Sequence, residues 1–327
     1  MRGIAMIGSA DELGAARGRR VAWSIVLFVL LIDLAWLGFS SVSVLPLSLL
    51  GPLSAAGALA LGAWFYRTRR GEVRLADALE TAGQTIAFMA VGALLSYLMA
   101  TLGFPLQDAA FQAADRSLGL DWLAYLKAVD ARPWLGALFS FAYASFIPQV
   151  LLLIMVLSFT GRGEAARIMV LAMMISGVVT IVISGFVPAM AMFVHLGLGP
   201  ADYPNLSPAA SFVHVADMQA LRAGAPFTLD LGRAEGIITF PSYHAALGLL
   251  MLLGACAHRW LRWPFIGLNL AMIAATPIDG GHYFVDVLAG LVIASAAYVA
   301  ARRIVVPQSA GRSATAFAEA PKILAKS

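Results

Sequence analysis

The 327-residue sequence is short of charge. Only 12% of its residues are Asp, Glu, Lys or Arg, against about a quarter in a soluble globular chain. That scarcity, beside 61% hydrophobic residues, excludes a cytosolic enzyme and a disordered chain. Cysteine is nearly absent too. Cys256 stands alone, so neither an intrachain disulfide nor a cysteine-based metal site is available. Gly-rich nucleotide loops are missing, as is any internal repeat of the kind that builds inverted-repeat transporters. What the sequence has instead is long apolar runs, the mark of an integral membrane protein. Its formal charge of +4 then means basic loops on one side of a membrane, not a nucleic-acid partner.

A membrane-crossing helix needs about 20 mostly apolar residues to span about 30 Å of hydrocarbon. Such stretches occur at 21–40, 43–66, 80–103, 133–159, 165–195, 241–257, 262–278 and 282–301, the sixth and seventh being short. The expected fold class is therefore all-α, a polytopic transmembrane helical bundle of about eight spans. The first run is not read as a cleavable signal, because its basic lead is long and no small-residue cleavage site follows cleanly. Seventeen of the 22 Lys and Arg fall in the N-terminal segment, the connections after the second, fourth and sixth spans, and the tail. The other side holds Arg116, Lys127, Arg132, Arg222 and Arg233. The positive-inside rule then places both termini in the cytoplasm and requires an even number of spans. The expected location is the inner (plasma) membrane of a bacterium.

This divides the chain into a cytoplasmic segment 1–20, three spans over 21–103, an outer segment 104–132, a membrane core 133–301 and a disordered cytoplasmic tail 302–327. In the outer segment, Asp108, Asp115, Asp121 and Asp130 alternate with Phe104, Phe111, Leu118, Leu120 and Trp122, as in a helix lying along the interface. The core contains an outer loop, 196–240, rich in Pro, Gly and Asp. A loop of that length is functional or disordered.

Ionisable groups inside or at the edge of a span are costly, so each one is a functional hypothesis. Asp33, His244, His282 and Asp286 stand out. His244 and the pair His282 and Asp286 lie at span ends that face the same side. Pro241 suits the first turn of a helix, and Ser242 with the free N–H groups there offers an anion site. His282 and Asp286 are four apart and share a helix face. The carboxylate can orient one ring nitrogen and leave the other to attack, while His244 protonates the departing oxygen. That set describes phosphoryl transfer through a phosphohistidine.

Pro241-Ser242-Tyr243-His244, followed 38 residues later by His282-Tyr283-Phe284-Val285-Asp286, resembles the second and third signatures of the type 2 phosphatidic acid phosphatase superfamily. The forms F-P-S-x-H and H-Y-x-x-D, with Phe186-Val187-Pro188-Ala189, are most similar to the branch of inositol phosphorylceramide and sphingomyelin synthases. The resemblance covers roughly 130–301 and implies a six-helix phosphatase-like catalytic core. It implies His282 as nucleophile, Asp286 as its partner, His244 as the second catalytic histidine and Ser242 against the phosphate, with Tyr243 beside it. The activity implied is that of a lipid phosphatase or an inositolphosphotransferase-like head-group transferase, with no cofactor, no metal, and membrane lipids as partners. The sequence departs from the superfamily pattern at Thr276, where an Arg is usual, and in having no K-x6-R-P signature; Lys127 and Arg132-Pro133 come near it. Arg222 and Arg233 of the outer loop are the expected cationic partners of a bound phosphate.

The remaining polar residues have plainer readings. His214 and Asp217 lack a third metal ligand and are read as solvated loop residues. Asp33 is read as a helix–helix hydrogen-bonding group or a group near a polar pocket, Tyr143 and Gln149 as candidates to line a cavity, His195 and His258 as interfacial. Two rival functions are a catalytically inactive lipid transporter or scaffold of the same fold, and a proton-coupled transporter working through Asp33.

Overall fold

A computed structural model of the chain describes residues 2–306; the tail expected beyond them lies outside the described residues. The first helix, α1 (Arg2–Leu37), is followed by a short strand, β1 (Val42–Val44), and by α2 (Pro46–Phe65), which ends in a π turn at Tyr66–Arg70. Next come α3 (Val73–Ala100) and two short helices, α4 (Asp108–Ser117) and α5 (Trp122–Asp130). A bent pair, α6 (Pro133–Ala144) and α7 (Phe146–Phe159), leads to α8 (Gly163–Phe186). The outer loop then contributes α9 (Met192–Leu196), α10 (Val215–Arg222) and β2 (Phe227–Leu229). The chain closes with α11 (Tyr243–Ala255), α12 (Arg259–Asp279) and α13 (Phe284–Val305).

Six of these helical segments are long and apolar enough to cross a membrane, and the pair α6–α7, bent by 55°, makes up to a seventh. The bend has a local cause. Pro148 has no N–H for the carbonyl of Ala144 and its ring crowds that carbonyl, so the helix breaks one turn upstream. Helix α11 is the eighth apolar segment, but 13 residues reach only about 20 Å. Large apolar side chains such as Phe28, Leu31 and Leu34 on α1 and Val292 on α13 stand exposed, as a lipid-facing surface requires. The chain is thus an integral-membrane helical bundle.

The inner helices α3, α8, α11 and α13 surround a core of small and flexible residues, among them Ala166, Met169, Met173, Leu250, Met251 and Ala294. Several boundaries differ from the sequence reading. The segment 1–20 is helical from Arg2 and runs straight into the first span. The second span starts only at Pro46, since Val42–Val44 pairs in parallel with Phe227–Leu229. Helix α8 stops at Phe186 rather than near 195, because Pro188 follows and the next amides are taken by Asp108: Met190 N–H at 3.0 Å and Ala191 N–H at 3.3 Å. Residues 302–305 belong to α13. The outer loop is neither disordered nor without regular structure; α9, α10 and β2 order it.

Candidate active site

The first turns of α11 and α13 and the last turn of α12 meet at one end of the bundle. Ser242 starts α11 as its N-cap, its hydroxyl accepting from Ala245 N–H at 3.3 Å. Its own N–H donates to the Asp286 carbonyl at 3.0 Å, tying α11 to α13. His282 sits just before α13 and is 2% exposed. Its Nδ1 lies 2.7 Å from the Thr239 carbonyl oxygen and 3.4 Å from Asp286 Oδ2. Both neighbours are acceptors, so Nδ1 carries the proton and Nε2 presents a lone pair. The nearer of the two is the Thr239 carbonyl, which no side-chain pattern in the sequence points to. Asp286 Oδ2 also accepts from Tyr283 N–H at 2.8 Å, while Oδ1 is buried without a partner.

Helix α6 supplies the other wall. Tyr143 stacks on His244, with ring centroids 4.1 Å apart, and its hydroxyl lies 3.1 Å from His244 Nδ1. Phe146 meets the same imidazole edge-on at 5.1 Å. Gly280 packs tightly against the His282 ring, whose Cδ2 would lie only 2.6 Å from a Cβ at this position. A Cβ there would fall 2.8 Å from the Tyr143 hydroxyl and 3.0 Å from His282 Nε2. One point therefore touches the free nitrogen of His282 and the hydroxyl bound to His244. Next to it, Gly281 has φ of 65°, and a Cβ would meet Ala191 and Ser211 at 2.9 and 3.0 Å. The turn that delivers His282 needs both glycines, one for room and one for backbone angle. One turn before Tyr143 on α6, Ser140 Oγ donates to Asp279 Oδ1 at 2.6 Å.

The outer segment forms a clamp around this turn. Trp122, 2% exposed, donates through Nε1 to the His282 carbonyl at 3.1 Å. Asp115 accepts from the N–H groups of Phe284 and Val285, each at 2.9 Å, and so caps α13 from a distant helix. Burial pushes the Asp115 carboxyl up from its ordinary range, and those two amide bonds draw it back. Asp108 accepts from the Tyr283 hydroxyl at 2.8 Å as well as from the amides after α8. The sequence reading puts the four aspartates of this segment on a helix lying along the membrane interface. Asp108 and Asp115 are buried, because the backbone N–H groups after α8 and at the start of α13 need acceptors there.

The other expected residues lie elsewhere. The Tyr243 hydroxyl donates to the Met173 carbonyl of α8 at 2.9 Å, away from the histidines. Arg233 is exposed and 3.8 Å from Asp230, and Arg222 sits half-buried at the end of α10, with no bond to either histidine. His214 is buried rather than solvated, its Nε2–H donating to the Met190 carbonyl at 2.7 Å. Asp217 accepts from Tyr97 at 3.1 Å. Among the described residues, no group of three His, Cys, Asp or Glu side chains is arranged to hold a metal. Asp33 is fully buried with neither oxygen hydrogen-bonded, so the expected helix–helix bond is not made. Gln149 does make one, accepting from Asn269 at 2.8 Å.

No curated protein and no solved structure matches the chain. A family model described as the PAP2 superfamily matches residues 109–300, a range that runs from the clamp helix α4 through the histidine turn to the last span. With well over half of its length covered, the chain belongs to the PAP2 superfamily, a superfamily of phosphatases and phosphotransferases.

Proposed function

We propose that the protein is a lipid phosphatase or lipid head-group phosphotransferase that works through a phosphohistidine on His282. The observation that carries this reading is the tautomer imposed at His282. With Nδ1–H held by Thr239 and Asp286, the Nε2 lone pair faces the space bounded by Tyr143 and His244. In the first step Nε2 attacks phosphorus, the bond from phosphorus to the leaving oxygen breaks, and His244 gives that oxygen a proton. In the second, water or an alcohol attacks the phosphohistidine and returns a proton to His244. The first-turn N–H groups of α11, which have no intrahelical partners, face negative charge favourably, with Ser242 holding that turn in place. Arg222 and Arg233 would reach the phosphate only through movement of the outer loop.

The basic end of the bundle supports the orientation in which both termini are cytoplasmic and the histidines face outward. Resemblance to the inositol phosphorylceramide and sphingomyelin synthase branch favours an alcohol over water as acceptor. The test is lipid mass spectrometry on purified protein given mixed phospholipids, phosphatidic acid, diacylglycerol and ceramide, with His282→Ala alongside. A phosphatase releases free phosphate from phosphatidic acid; a transferase makes a new lipid bearing a donor's head group. Acid-labile label on the unmutated protein and none on the variant would identify the intermediate. Equal turnover by the two proteins would overturn the proposal.

A further inference from the structure

We propose that His214 of the outer loop is a positioning residue for His282, acting through the Met190 carbonyl and Thr239. This rests on the phosphotransfer reading above and adds to it a residue that the histidine motifs do not contain. The Met190 carbonyl oxygen accepts twice, from His214 Nε2–H at 2.7 Å and from Thr239 Oγ1–H at 3.2 Å. Those donors fill both lone pairs of that oxygen. The backbone carbonyl of Thr239 in turn accepts from His282 Nδ1–H at 2.7 Å. Hydrogen bonds therefore run unbroken through buried residues from His214 to Met190, Thr239 and His282. They join the outer loop, the segment after α8 and the histidine turn.

A carbonyl points where its peptide plane points, and residues 234–239 belong to no helix or strand. The side-chain bond from Thr239 to Met190 sets that plane. Met190 is itself fixed from several directions. Its N–H and that of Ala191 donate to Asp108 at 3.0 and 3.3 Å, and Met192 N–H donates to the Gly281 carbonyl at 2.8 Å. On the remaining side stands His214, whose ring bridges two carbonyls, with Nδ1 3.3 Å from Ala210 O and Nε2 at the shorter contact with Met190. A phenyl ring there would fill the volume and donate nothing. The Met190 peptide would then turn about its Asp108 bonds, Thr239 would follow, and the His282 imidazole would lose its shortest bond. Asp286 Oδ2 at 3.4 Å would still hold the proton on Nδ1. The ring would keep its tautomer and lose its aim, and a reacting atom out of line is costly in rate.

The chain has five histidines, few enough for their ring signals to be assigned by substitution in the full protein, isotope-labelled at histidine and held in detergent. The unmutated protein is compared with His214→Phe, His214→Gln and Thr239→Val. In His214→Phe and Thr239→Val the His282 Nδ1–H proton signal should move upfield as its bond lengthens. His214→Gln keeps an N–H donor and should restore it. An unmoved signal in His214→Phe, or in Thr239→Val where the phenylalanine variant does not fold, overturns the inference. Turnover of mixed phospholipids, phosphatidic acid, diacylglycerol and ceramide is the second readout. In His214→Phe the maximal rate should fall about tenfold with little change in apparent KM, and in His214→Gln it should recover to within about threefold. The double variant His214→Phe/Thr239→Val should be no slower than the worse single one, since both act on one carbonyl. A loss of about a hundredfold in the double variant, the product of two independent effects, overturns the inference as well. If the ring signals respond as expected but His282→Ala turns lipid over at the full rate, the positioning stands and the phosphohistidine does not. If His282 is essential and its signal indifferent to His214, the inference alone falls.

Discussion

The two ends of helices α3 and α8, about 40 Å apart along α3, handle charge in opposite ways. At the basic end, Arg167 of α8 meets Asp77 of α3 at 2.7 Å, and Arg67 meets Asp77 at 2.8 Å and also Glu80. Arg19 of α1 lies 3.5 Å from Glu80, and Trp23 donates to the same carboxylate at 3.2 Å. Asp77 and Glu80 are both answered by guanidinium groups, so the network joins α1, α2, α3 and α8. At the histidine end the carboxylates are answered by backbone N–H groups, an imidazole and hydroxyls. Asp115, Asp108 and Asp286 hold the start of α13 and the segment after α8 in place, and two valences stay open: His282 Nε2 and Asp286 Oδ1. One end is knit together by ion pairs for cohesion. The other keeps unmatched groups, which is what a site that must bind and react requires.

The comparison is sharpest where a substitution removes function without touching cohesion. His282→Asn keeps a donor near the Thr239 carbonyl but removes the nucleophile. Turnover should fall by a factor on the order of a thousand or more, with the unfolding temperature within a degree or two of the unmutated protein. Gly280→Ala comes next. Its Cβ would fall 2.6 Å from His282 Cδ2 and 3.0 Å from Nε2 and push the imidazole aside, so turnover should fall by about a hundredfold, as read by steady-state kinetics. If Gly280→Ala keeps full activity, the placement of the His282 ring against this glycine is not needed for turnover.

Asp115→Asn and Asp77→Asn set the two ends against each other. Asp115→Asn retains one acceptor for Phe284 and Val285 but loses the charge at the start of α13, a loss of about 1 kcal/mol. Because that cap holds the His282 turn, turnover should drop by about tenfold with only a small change in unfolding temperature. Asp77→Asn leaves Arg67 and Arg167 facing each other, partly buried, without their shared partner. It should cost about 2 kcal/mol and lower the unfolding temperature, while the turnover of folded protein stays within about twofold. An equal effect of both substitutions on both readouts would dissolve the distinction.

The fold class and the apolar segments were legible because span length and charge bias are local properties of the chain. His244, His282 and Asp286 stood out because ionisable groups are rare in such runs, and the structure gathers them at one end. What the sequence could not display were partners separated by long stretches of chain. Asp115 meets Phe284 across 169 positions and Trp122 meets His282 across 160, and no periodicity records such a pairing. The aspartates of the outer segment look like a polar face, since nothing in 104–132 shows that backbone amides of 190–191 and 284–285 will need them. Tyr243 misleads in the opposite sense. It sits inside the motif, yet the first turn of α11 rotates it toward Met173. The two-stranded pairing of 42–44 with 227–229 was hidden inside an apolar run whose first residues read as helix.

The smallest expected effect tests whether the outer loop belongs to the reactive end at all. Arg233 is 90% exposed and 3.8 Å from Asp230, an i, i+3 pair in full contact with water. Such a pair is worth less than about 0.5 kcal/mol, so Arg233→Ala should leave the unfolding temperature unchanged. With the loop as it stands, turnover should also stay within about twofold, because no bond links this guanidinium to either histidine. Arg222→Ala gives the matching measurement for the half-buried position at the end of α10. A tenfold fall in turnover for either variant, with stability unaltered, would mean that the loop folds down during the reaction and lends its cation to the phosphate.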